Sequence, residues 1–133
     1  MGRFLIKVSY TSGSWARMIK NPDDRTTAVA TLMESLGGSL DSLYWDVDSS
    51  MSYAIVDLPD SLSAVAVTLA VGNTGAFKGI ESHELLTADR LREALTLAKD
   101  AARVYTVPGQ SAVESDLLWS AAPGQTIRYS SNA

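Results

Sequence analysis

The chain has 133 residues, 46% of them hydrophobic, and a formal charge of −4 from 11 basic and 15 acidic side chains. That size and balance fit one globular domain and exclude wholesale disorder. With no cysteine there is no disulfide framework, thiolate metal site or thiol nucleophile, and an acidic chain without a basic run excludes the usual nucleic-acid binder.

Arg3 to Tyr10 alternates, with Phe4, Ile6 and Val8 on one face and Leu5, Lys7 and Ser9 on the other, the period-two pattern of a strand. Thr11-Ser12-Gly13-Ser14 breaks it, and Ser14 is the expected cap of a short helix through Trp15, Met18 and Ile19. Asn21-Pro22 predicts a longer helix, with asparagine as cap and proline at the first position, followed by Asp23 and Asp24 at the positive end of the dipole. Ala28, Val29, Leu32, Met33 and Leu36 recur at helical spacing, and Gly37-Gly38 closes the helix. Ser39 to Val47 and Ser52 to Leu58 predict two strands joined by a turn at Asp48-Ser49-Ser50.

Pro59-Asp60-Ser61 then caps a helix whose expected inward stripe is Leu62, Val65, Ala66, Leu69 and Ala70, and Gly72-Asn73-Thr74-Gly75 stops it. Phe77 to Leu85 predicts a fourth strand, and Thr87 caps a last helix, Ala88 to Val104, with Leu91, Ala94, Leu95, Ala98 and Ala102 inward. Pro108-Gly109 closes the core domain, residues 1–109. The extension, 110–133, is expected to dock as an arm through Trp119 and Tyr129, the alternative being a disordered terminus.

The order is βαββαβ plus a helix, which predicts an α+β ferredoxin-like fold with a four-stranded antiparallel sheet. Helices cover one face of such a sheet. The other face needs a cover as well, and an identical sheet from a second subunit supplies it, so a homodimer is expected. The amino terminus is too short in its apolar part for a secretory signal, and the most apolar window, Ala64 to Val71, is well under the ~18 residues of a membrane span. A cytoplasmic protein without membrane contact is the expectation.

Several stretches, in unbroken order, resemble the GYD-domain family: Phe4-Leu5-Ile6 with Ser9-Tyr10-Thr11, Leu36-Gly37-Gly38, Tyr44-Trp45, and Val56-Asp57-Leu58-Pro59-Asp60. Leu69-Ala70-Val71 with Thr74-Gly75-Ala76, Leu85-Leu86-Thr87, and Tyr105 with Pro108-Gly109 extend the likeness over residues 3–109. The resemblance implies a dimeric α+β barrel. It departs at the motif that names the family, whose Gly, Tyr and Asp fall on Asp48, Ser50 and Met51. Asp48 is expected to supply the glycine's positive φ, which aspartate tolerates. Met51 can neither accept a proton nor hold a cation, so no catalytic residue is carried over. The wider superfamily spans cofactor-free oxygenases, lactone isomerases, haem-handling enzymes and sensing domains, and fold alone does not choose among them.

Chemistry-bearing residues are few. His83, the single imidazole, shares a strand face with Glu81 and suits a general base or haem ligand; the plainer alternative is a solvated edge-strand histidine. Lys7 is expected to point between the two sheets with Asp57 as partner, either into a wet pocket or in an ordinary ion pair. Tyr10, Tyr44, Trp45 and Tyr53 cluster on the first three strands, where they line an apolar pocket or fill a dimer core. Asp41, Asp46 and Asp48 form a solvated acidic rim without a calcium loop. No phosphate cradle, nucleophile elbow or zinc motif is present, so no cofactor and no metal are expected. The functional expectation is a homodimer binding a small apolar or aromatic molecule near the sheet or dimer seam through Lys7, Ser9, Tyr44, Tyr53 and Asp57. The alternatives are a cofactor-free oxygenase or isomerase using His83 or Lys7 as base, and a partner-binding module acting through its tail.

Overall fold

The structure, a computed structural model, describes residues 1–109. The chain runs β1 (Gly2–Tyr10), α1 (Ser12–Lys20), α2 (Arg25–Ser35), β2 (Ser39–Asp46), β3 (Met51–Leu58), α3 (Ser61–Gly72), β4 (Phe77–Leu85) and α4 (Ala88–Ala102). The strands form one antiparallel sheet in the order β2-β3-β1-β4, the ferredoxin-like arrangement, with α1 and α2 sharing the first crossover. Two compact units divide the chain: Met1–Leu85, which holds the sheet and α1 to α3, and the residues from Leu86 onward, which include α4. The expected arm at 110–133 lies outside the described residues. No described helix is long and apolar enough to cross a membrane.

Two central strands set the layers. β1 and β3 pair with Phe4 opposite Val56, Ile6 opposite Ala54 and Val8 opposite Ser52. Because side chains alternate, these residues share one face, and burial along β3 switches at every residue. Phe4, Ile6, Val56 and Leu58 join Met33 of α2 and Ala64 and Val67 of α3 in one core. Each fully buried large aliphatic side chain there contributes about 1.5–3 kcal/mol relative to exposure.

The helix starts differ from expectation. Thr11, not Ser14, caps α1, its hydroxyl accepting from the Ser14 amide at 3.1 Å. Asp24, not Asn21, caps α2 by accepting from the Thr26 amide at 3.0 Å, so the helix begins at Arg25 and Pro22 stays in the connection. Asn21 is instead taken up in closing α1, its backbone amide donating to the Arg17 carbonyl at 2.9 Å. Asp60 caps α3 and Thr87 caps α4 as the sequence predicts.

α3 presents the other side. Ala64 and Val67 are buried, whereas Leu62 and Leu69, expected inward, are 73% and 61% exposed. The helix is apolar all round, so periodicity does not select a face, and the smaller residues allow the closer approach to the sheet. In α4, Leu91 and Leu95 are likewise exposed rather than inward. In the β2–β3 turn the positive φ falls on Ser50, at +57°, and not on Asp48. Asp46 holds this turn by accepting from the Ser49 amide at 3.3 Å.

Glycine has a stricter role after α2. Gly37 takes φ +80° and donates to the Glu34 carbonyl, and the Gly38 amide donates to that of Met33 at 2.9 Å. A Cβ on Gly38 would collide with the backbone carbonyl oxygen of Asp57 on β3. Gly38→Ala should therefore destabilise the fold by about 1–3 kcal/mol, read as a lower urea midpoint at unchanged slope; an unchanged midpoint would contradict the close packing described here.

Candidate functional site

The face of the sheet opposite the helices gathers Lys7, Ser9, Tyr44, Tyr53, Asp57 and His83. Across the strands, Tyr44, Tyr53, Lys7 and Glu81 fall in one register row, and Ser42, Ile55, Leu5 and His83 in the next. Ser9 and Asp57 occupy the rows beyond, on the same face. Lys7 does not meet Asp57. Its Nζ stands 3.4 Å from Glu81 Oε2 and 5.8 Å from the centre of the Tyr53 ring. Two register steps along β1 separate Lys7 from Asp57, whose direct partner is Arg3. His83 Nε2 lies 3.9 Å from the same Glu81 oxygen, so one carboxylate stands between the two expected bases.

Asp57 accepts two hydrogen bonds from Arg3, each 3.1 Å, and Arg3 also reaches Asp41 at 3.3 Å. The irregularity in β2 between Leu40 and Ser42 displaces Asp41 from the ladder beside this pair. The arginine hydrogen bond holds the Asp57 carboxyl below its ordinary value near 3.8, and the same contact raises Arg3. Among the described residues no three His, Asp or Glu side chains are grouped to hold a metal ion.

The aromatic residues do not form a single set. Tyr44 and Tyr53 face each other on the open side, and Tyr44 is 68% exposed. Tyr10 and Trp45 lie on the helix side, ring centres 4.9 Å apart, with Trp15 of α1 at 5.5 Å and Phe77 of β4 at 5.0 Å from Tyr10. Alternation explains the split, since Tyr10 is in phase with Phe4, Ile6 and Val8.

A hollow of about 240 Å³ lies on this helix side, between the sheet and helices α2 and α3. Ile6, Val8, Leu32, Met33, Val67 and Ile80 contribute apolar lining. Tyr10 and Ser52, both buried, add two hydroxyls to that lining, 3.4 Å apart, and Arg25 at the start of α2 also borders it. Burial raises the Tyr10 phenol above 10, while the Ser52 hydrogen bond and the Arg25 charge pull the other way. The phenol is therefore neutral near pH 7 and able to donate. Two shallower hollows, about 290 and 300 Å³, border the α1–α2 connection, and Arg25 lines both. None of Lys7, Ser9, Tyr44, Tyr53, Asp57 and His83 lines these three spaces.

Ser52 and Arg25 were missed at the sequence level. Ser52 carries a visible signal, a hydroxyl in phase with Ala54, Val56 and Leu58. Arg25 carries none, because placing the cap at Asn21 leaves it inside the helix rather than at its mouth.

The GYD domain model matches residues 4–95. The chain belongs to the GYD-domain family. No curated protein matches it. Among solved structures, the likeness to the chemotaxis kinase CheA P2 domain, in complex with response regulator CheY from Thermotoga maritima, has 17% identity and a TM-score of 0.43. It covers 63% of this chain and 98% of that one, and carries no argument about activity. Asp48, Ser50 and Met51, on which the sequence reading sets the family motif, lie in the β2–β3 turn and at the first residue of β3.

The Arg3–Asp57 pair makes a pH prediction. With the folded carboxyl below 3.8, the contribution of the pair is present above that value and is lost as pH falls through the lower folded value. Asp57→Asn should flatten the decline of Tm on acidification below pH 4, with the capping carboxylates Asp24 and Asp60 and the turn carboxylate Asp46 accounting for the remaining slope. Parallel wild-type and variant curves would show that the pair is not coupled to folding.

Proposed function

We propose that this GYD-domain protein is a homodimeric binding domain for a small, partly apolar molecule, held between the sheet and helices α2 and α3. The observation that carries the proposal is the hollow itself, apolar over most of its lining and bordered by two buried hydroxyls. Ligand pockets combine this kind of apolar wall with a few convergent polar groups. A purely structural core would place an alanine or valine in phase with Ala54 and Val56, where Ser52 stands.

The open face supports the dimer. Leu5, Met51, Tyr53 and Ile55 lie on it side by side, and its central charges are already paired within the face as Lys7–Glu81 and Arg3–Asp57. A second copy related by a two-fold axis would cover the apolar residues without stranding an unpaired charge. In this reading Lys7, Ser9, Tyr44, Tyr53 and Asp57 belong to the seam, and the ligand sits on the opposite side of each sheet. Glu81 stands between Lys7 and His83 on this face, 3.4 Å and 3.9 Å away.

Two expectations follow. Sedimentation should give twice the chain mass, and Ile55→Asp should reduce it to one chain without lowering occupancy of the hollow; a wild-type monomer contradicts the dimer. Ala54→Ile, which places three more carbons at the floor of the hollow, should abolish the thermal shift caused by small apolar probes such as indole or octanol while leaving the unliganded Tm within a few degrees. Equal shifts in both proteins would place the binding elsewhere.

A further inference from the structure

The charge at the mouth of the hollow specifies its ligand further, on the condition that the binding proposal above holds. Among the described residues Arg25 is the one charged side chain that lines the space, in a chain whose net charge is −4. Its guanidinium has a single ionic neighbour among the described residues, Asp23, with Nη1 and Oδ2 3.6 Å apart, just beyond hydrogen-bond range. Five donors on a rigid planar fork are thus left for a second acceptor. The neighbouring Asp24 carboxylate is committed to the Thr26 amide.

The polar groups nearby complete a receiver for an anion. The Tyr10–Ser52 bond is long at 3.4 Å, so neither hydroxyl is saturated. With the Ser52 hydroxyl donating to the Tyr10 oxygen, the phenol hydrogen is free to donate to a ligand. Arg25 acts electrostatically on Tyr10, so the two donors belong to one local field.

We propose that the hollow takes a small monocarboxylic acid, its hydrocarbon or aromatic body among Ile6, Leu32, Val67 and Ile80 and its carboxylate on Arg25 with a hydrogen bond from Tyr10. Scaling from the dry cavity of about 150 Å³ that accepts benzene, the body and head together come to roughly ten non-hydrogen atoms. A neutral analogue of the same shape fills the hollow but forgoes the charge-assisted bond. A lipid with a long chain is too large.

The test is calorimetric titration of the full chain with octanoate and 3-phenylpropanoate, each beside its primary amide. Wild type should bind each acid at least about tenfold more tightly than its amide, the size of a charge-assisted hydrogen bond. Arg25→Gln should bring acid and amide to equal affinity, with amide affinity unchanged, and Arg25→Lys should keep part of the preference. Amide binding and an unaltered Tm show that each variant is folded. Acids and amides binding alike in wild type would overturn the anion assignment and leave the binding proposal standing. A preference that survives Arg25→Gln would overturn the role of Arg25. Failure of all four compounds to bind would overturn the binding proposal, and this one with it.

Discussion

The pairing register of β1 against β3 governs the molecule. With Phe4 opposite Val56 and Ile6 opposite Ala54, every second side chain of two central strands enters one core, and the residues between them form a second, chemically different surface. A one-residue slip of β1 would send Lys7 under the helices and put Phe4 and Ile6 on the open face, and a slip of β3 instead would do the same with Asp57 and Val56. Burying a lysine and an aspartate without their partners costs several kcal/mol each, far more than any turn preference contributes, so the register is decided by the charges as much as by the apolar residues.

From that register the two faces acquire separate tasks. On the helix side, Tyr10 and Ser52 bring buried hydroxyls into a mainly apolar layer, and α2 starts where its first residue, Arg25, borders the same space. On the open side, Glu81 and Asp57 neutralise Lys7 and Arg3 locally, which in the proposed dimer leaves the apolar residues between them as the contact surface. The positions on which the sequence reading sets the family motif, Asp48, Ser50 and Met51, lie in a turn and at a strand start and do not line the hollow. The proposed binding reading does not use those positions.

Much of the architecture was legible from the chain alone, for physical reasons that differ by element. Strand alternation in Arg3–Tyr10 and Ser52–Leu58, the Gly37-Gly38 stop and the Asp60 and Thr87 caps are local signals that tertiary packing had no reason to override. The inward side of α3 was not legible, since Leu62, Val65 and Leu69 are as apolar as the Val67 and Val71 that the helix turns toward the sheet. The partner of Lys7 was missed because cross-strand neighbours depend on register, and Glu81 lies on a strand far away in sequence. The candidate hollow was hidden for a similar reason: Ser52 is one serine among many, and only its phase with Ala54 and Val56 marks it as buried.

Methyl NMR on the isotopically labelled full chain addresses the central claim most directly, with methyl shifts followed while 3-phenylpropanoate is added. The account predicts saturable shifts at Ile6, Val8, Val67 and Ile80, with Leu5 and Ile55 on the other side of the sheet unmoved. Shifts confined to Leu5 and Ile55, or none at saturating acid, would contradict it.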